Sequence, residues 1–307
     1  MDSSYVVVVG GANMDIAGRP AGALVQRDSN IGTVRLSHGG VGRNIAHNLA
    51  LLGTRVSLVT AFGDDASGEA LKQGCVRVGV DVSCALTVPG AASSTYLFVM
   101  DESGDMQVAI NDMAILDQLT QELLAQRLDL IRGAAACVAD ANLPERSVAW
   151  LAEEAGVPVF CDPISVAKAP RLISSLPHVH TLKPNRMEAE ALTGIQVHDD
   201  VSLELACQEL LRRGVGRAFV SLGADGLLCA EGRESRRLPR LEGRLVNATG
   251  AGDAMMAALV WAHLHDMSLL EAGMAGLAAS AIAIEGSETI NPLMSETALL
   301  ERMRSSL

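Results

Sequence analysis

Short apolar runs alternate along the chain with stretches of helical spacing. Tyr5–Val9 is a continuous, valine-rich run, the pattern of a strand covered on both faces. GRNIAHNLALL at 42–52 has helical spacing and stops at Gly53, a natural C-cap. Further strands are expected at 55–60, 135–139, 157–161, 179–182, 217–222 and 226–230. Helices are expected at 68–78, 119–130, 145–155, 186–192 and 203–213, and two long ones at 252–265 and 269–284 close the chain. Alternation of this kind predicts an α/β fold: a mostly parallel sheet covered by helices on both faces.

Two stretches break the alternation. Residues 17–37 are polar and strand-like, and TYLFVMDESGDMQVA at 95–109 reads as two strands around a turn at ESGD, 102–105. They predict either a small separate sheet, placed as a lid over the carboxyl edge of the large one, or edge strands of the main sheet. On the first reading the core takes residues 1–16, 38–94 and 110–307, and the β-lid takes 17–37 and 95–109.

Composition narrows the class. The chain has 307 residues, 49% hydrophobic and 20% charged, enough for a sizeable core without metal or disulfide staples. Aromatics are only 3%, so aliphatic side chains and 12 methionines must fill that core. A net charge of −12 weighs against non-specific nucleic-acid binding. The run at 6–9 is too short for a secretory signal core, and no run is long enough to span a membrane. The six cysteines are scattered without a C-x-x-C pair, as free thiols in a reducing compartment would be. The expected location is the cytoplasm.

The candidate chemistry sits where strands end or helices begin. NATGAGD at 247–253 precedes an apolar helix. Gly250, Ala251 and Gly252 would turn the backbone tightly and present N–H groups at a helix N-terminus, an anion hole suited to phosphate. Asp253 in the first turn is either a dipole partner or a base beside that hole, as phosphoryl transfer to a hydroxyl requires. Gly39, Gly40 and Asn44 lie in GGVGRN at 39–44, where paired glycines permit close approach to a ligand. That segment follows polar residues, not a buried first strand, and so departs from a dinucleotide fingerprint. Asn13 and Asp15 follow the first strand, where α/β sheets bind ligands; Asp15 suits vicinal hydroxyls, or else forms a local turn. In KPNRME at 183–188, Asn185 and Glu188 have capping-box spacing. The functional alternative gives Asn185, Glu188 and Asp162 a water-mediated Mg²⁺, with Lys183 near phosphate. SLGADG at 221–226 is a strand, turn and strand, where Ser221, Gly223 and Gly226 would let a flat adenine approach.

These motifs, in this order, resemble the ribokinase-like (PfkB-type) carbohydrate and nucleoside kinase family over nearly the whole chain. The resemblance implies a three-layer α/β/α core with a small β-sheet lid, and transfer of the ATP γ-phosphate to a primary hydroxyl. GGVGRNIAHNLALLG at 39–53, SSTYL at 93–97, VAINDM at 108–113 and HTLKPNRMEAE at 180–190 are similar to the branch whose acceptor is the 5′-hydroxyl of pseudouridine. Val41 stands where ribokinase has lysine, and sugar kinases lack the INDM run; both point away from free ribose. The resemblance makes Asp253 the general base, Gly250–Gly252 the anion hole, and Asn13, Asp15, Gly39, Gly40 and Asn44 the ribose contacts. It ties Asn185 and Glu188 to Mg²⁺ and phosphate. Asn247 and Thr249 match a K⁺ site, although ribokinase has aspartate where this chain has Asn247. For the base, Asn111 and Asp112 are the candidate acceptors. A homodimer through the lids is implied. Other expectations are a kinase for another nucleoside or furanose sugar, a silent ligand sensor on the same fold, and a nicotinamide dehydrogenase.

Overall fold

The computed structural model describes residues 4–305. Its strands begin with β1 (Tyr5–Val9), β2 (Asn13–Pro20), β3 (Gly32–Gly39), β4 (Arg55–Val59) and β5 (Ala61–Gly63). They continue with β6 (Val80–Asp81), β7 (Leu86–Val88), β8 (Thr95–Met100), β9 (Met106–Asp112) and β10 (Ala136–Asp140). The last are β11 (Val159–Asp162), β12 (Thr181–Leu182), β13 (Arg217–Ser221), β14 (Leu227–Glu231) and β15 (Glu234–Leu238). The helices begin with α1 (Val41–Leu51), α2 (Ala66–Arg77), α3 (Gln121–Ala125), α4 (Leu128–Arg132) and α5 (Glu145–Glu154). They end with α6 (Arg186–Thr193), α7 (Asp200–Arg212), α8 (Ala251–Leu264), α9 (Leu269–Ile284) and α10 (Glu296–Arg304).

Nine strands form the large sheet, in the order β15-β14-β13-β12-β11-β10-β1-β4-β6. Pairing is parallel from β13 to β6, and β14 and β15 extend the sheet antiparallel. The valines of β1 show why the run is apolar throughout. Val6 and Val8 pack into a core shared with α1, α8 and α9, while Val7 and Val9 enter a second core shared with α5. Helix α8 is apolar all round, with Ala254 through Ala262 buried, because it lies between α1 and α9.

A second sheet has the order β3-β2-β8-β9. It is separate from the large sheet, so the edge-strand alternative falls. Its strands run further than the alternation at 17–37 and 95–109 suggests, because pairing begins at Asn13 opposite Gly39 and ends at Asp112 opposite Thr95. Residues 119–130 do not form one helix. Thr120 caps α3, which ends at Ala125, and α4 starts only at Leu128. The elements the periodicity did not reveal, among them β5, β6, β7, β15 and α10, are short or polar.

Candidate active site

The loop before α8 is held by its own polar groups. Asn247 Oδ1 accepts from Thr249 N at 3.0 Å. Gly250 takes φ 84°, and a Cβ there would stand 2.1 Å from Thr289 O, so only glycine fits. No side chain caps the N-terminus of α8, which leaves its positive end for an anion. Asp253 projects from the first turn, and its Oδ2 accepts from Asn44 Nδ2 at 2.9 Å. Burial pushes the Asp253 carboxyl up to about 7. The negative charge of Asp162 adds to that rise, while Asn44 and Lys183 oppose it.

Three strand ends supply the floor. Lys183, after β12, pairs with Asp162 of β11 at 3.2 Å, both almost fully buried. Burial disfavours this ammonium, but Asp162 and Glu188 outweigh it and hold its pKa above the ordinary lysine value. A Cβ at position 252 would lie 3.3 Å from Lys183 Nζ, so the cation sits directly under the helix start. At the end of β10, Asp140 accepts from Gly11 N at 2.8 Å and Asn142 N at 2.9 Å. Burial pushes its carboxyl up to about 6. Asn142 in turn accepts from Lys168. Sequence reasoning missed Asp140, Asn142 and Lys168, although the first two stand where a strand pattern stops at the carboxyl edge.

The opposite wall is the root of the small sheet. Asn13 Nδ2 donates to Asp15 Oδ1 at 2.6 Å, and a Cβ on Gly39 would fall 2.3 Å from Asp15 Oδ2. Gly40 takes φ 99° with Gly11 O against it. Burial raises the Asp15 carboxyl, and Asn13 and Arg43 pull it back. Asn13, Asp15, Gly39, Gly40 and Asn44 therefore come together, and Asn44 joins them to Asp253. Directly across the small sheet from Asp15 lie Ser37 and Tyr96, and across from Tyr96 lies Asn111. Asn111 thus shares the Asp15 face. Asp112 does not: it pairs with Thr95, opposite Met14, on the reverse face. Period-two alternation separates the two candidates that the sequence left together.

Beyond Asp253, a cavity of ≈ 360 Å³ opens between the β13–β14 turn, α8 and α9. Ser221, Gly223, Gly226, Ala248, Ala251 and Gly252 line it, as do Leu245, Met255, Leu277, Ala281 and Ile284, which the sequence reading did not single out. Thr249 is exposed and does not line it. Asn185 and Glu188 form a reciprocal capping box on α6, at 2.8 and 2.9 Å, so the structural reading of that spacing holds. Among the described residues, no group of three or more histidines, cysteines and carboxylates is spaced to hold a metal. Asp162 and Glu188 instead fit a hard cation that keeps most of its waters and leans on phosphates.

An apolar slot, a helix start with no cap, a buried lysine and a carboxylate beside a polar wall suit the transfer of a phosphoryl group to an alcohol. A profile for "pfkB family carbohydrate kinase" matches residues 3–296. The chain is 40% identical over 296 residues to the pseudouridine kinase of Escherichia coli, covering 96% of this chain and 95% of that one. It is 39% identical over 298 residues to the uncharacterized sugar kinase YeiI of the same organism, covering 96% and 82%. A carbohydrate kinase from Agrobacterium tumefaciens superposes with TM-score 0.87 at 28% identity, covering 98% and 97%. Ribokinase of Arabidopsis thaliana, complexed with ribose and ATP, gives TM-score 0.88 at 22% identity and 99% coverage of both, which speaks for the fold. The chain belongs to the pfkB family of carbohydrate kinases, and its fold is ribokinase-like. No helix of the described residues is long and apolar enough to cross a membrane.

Proposed function

We propose that this kinase transfers the γ-phosphate of ATP to the 5′-hydroxyl of pseudouridine. The observation that carries the reading is the Asn44–Asp253 hydrogen bond, which puts a carboxylate of raised pKa between the polar wall and the helix start. Adenine enters the apolar slot against Ser221, Gly223 and Gly226, and the phosphates run past Gly250–Gly252 toward Lys183. The ribose is gripped by Asn13, Asp15, Gly39, Gly40 and Asn44. Asp253 takes the proton of the 5′-hydroxyl as its oxygen attacks the γ-phosphorus in line with the departing ADP oxygen. The backbone N–H groups at 250–252 and Lys183 offset the charge that develops on the transferred group. Asp162, Asn185 and Glu188 would hold Mg²⁺ through water, where its charge would offset that of the phosphates. Asn247 and Thr249 are the residues whose oxygens would hold K⁺. Tyr96 and Phe98, with ring centroids 5.4 Å apart on the Asp15 face, favour a nucleoside over a free sugar by offering a base a surface to stack on. The small sheet acts as a lid. Its reverse face carries exposed Val34, Leu36, Leu97, Val108 and Ile110, a patch that suits a second copy of the chain.

A second reading, phosphorylation of another nucleoside or a furanose sugar, is favoured by the nearly equal identity to YeiI. The two are separated by incubating the protein with ATP, Mg²⁺ and a panel of nucleosides and pentoses, with ³¹P NMR of the products. Pseudouridine 5′-phosphate as the dominant product supports the first reading. Preferential turnover of a sugar or of uridine overturns it.

A further inference from the structure

We propose that Arg43 is a positioning residue: it locks the Asn44 amide so that its NH₂ group faces Asp253. The inference rests on the reading of Asp253 as the proton acceptor. Arg43 stands in the first turn of α1 and is 5% exposed. Its Nη1 donates to His38 O at 2.7 Å and to Asn44 Oδ1 at 3.0 Å.

A guanidinium has donors and no acceptor. An amide turned toward it must present oxygen, and its nitrogen must then point the other way. That nitrogen is the one donating to Asp253 at 2.9 Å. An ionised carboxylate only accepts, so it takes this donor and would repel the amide oxygen. Polarity therefore runs in one direction, from Arg43 through Asn44 to Asp253. Without the cation the amide can turn over, and Asp253 loses both its partner and its aim at the hydroxyl.

The burial of Arg43 argues against a packing role. A buried cation is costly to desolvate, and here its Nε is buried without a hydrogen-bond partner. An aliphatic side chain would fill the space at less cost. The ionisable groups facing the guanidinium are Asp15 from the small sheet, the Cys75 thiol from α2, and the His38 and His47 rings. Only Asp15 supplies a negative charge among these.

The test is a double-mutant cycle in kcat on the full chain, using the acceptor that the panel identifies. Arg43→Met and Asn44→Ala should each lower kcat by about 10²-fold, the scale of a misplaced reacting group. The double variant should be no slower than Asn44→Ala, and ATP affinity should be unchanged in all three. Losses that multiply, or full kcat in Arg43→Met, overturn the proposal. If Arg43→Met does not fold, Arg43→Lys and Arg43→Gln make the comparison. Lysine is also donor-only and should recover kcat well above glutamine, whose amide can present either end; equal rates overturn the proposal. Asp253→Asn separates the two levels of failure. If it turns over normally, the assignment of the base fails; if it is inactive while the losses multiply, only the role of Arg43 fails.

Discussion

Asp253 is asked to be anionic in a place that resists charge. Burial and the neighbouring Asp162 push its carboxyl up to about 7, and the Asn44 amide pulls it down. A base must be unprotonated, so kcat/KM for the nucleoside should rise with pH through about 7 and level off above it. Asn44→Ala removes a donor to the ionised form and should move that limb to higher pH; an unmoved limb would assign it to another group. Asp253→Asn should lose about 10²–10⁴-fold in kcat while ATP still binds, and near-normal turnover would sink the assignment. Asp15→Ala should weaken nucleoside binding by roughly 1.5–3 kcal/mol, with ATP affinity unchanged by calorimetric titration. Much of this was legible in the sequence, because glycines and acids at strand ends announce themselves. Asp140 and Arg43 were not: Asp140 meets Gly11 from far along the chain, and the burial of Arg43 and its hold on the Asn44 amide leave no mark on spacing.

At the scale of elements, periodicity found β1 and α9 to the residue, because each is buried on all sides or strongly capped. It missed β15, whose ESRRL is an exposed edge, and it merged α3 with α4, because the break at Gln126 and Arg127 carries no glycine or proline. Strand β9 shows what register adds. Asn111→Ala should reduce the ratio of kcat/KM for pseudouridine over uridine, because a site built to bond one ring N–H discriminates by up to about 10⁴. Asp112→Ala, on the reverse face, should leave that ratio alone. A fall with Asp112 and not Asn111 would mean the sheet presents its other face. The start of α8 admits a separate test. Gly250→Ala forces both a positive φ and a contact with Thr289 O, and should cost on the order of 1–3 kcal/mol of stability in denaturant unfolding. An unchanged midpoint would show that the loop has room to move.

At the scale of the molecule, the large sheet and its helices enclose the main apolar cores, while the small sheet leaves an apolar face uncovered. If that face meets its copy, Leu36→Glu should convert a dimer to a monomer in sedimentation with kcat retained in part. A wild-type chain that sediments as a monomer at micromolar concentration would refute the pairing. The first pair of the small sheet is Asn13 with Gly39, so the sheet is rooted in the residues that close around Asp15. If the sugar is gripped there as proposed, the residues that hold it are also the fulcrum on which the sheet would swing. On that reading the lid would need no separate messenger to report that the acceptor has arrived: grip and closure would be one motion read at two radii.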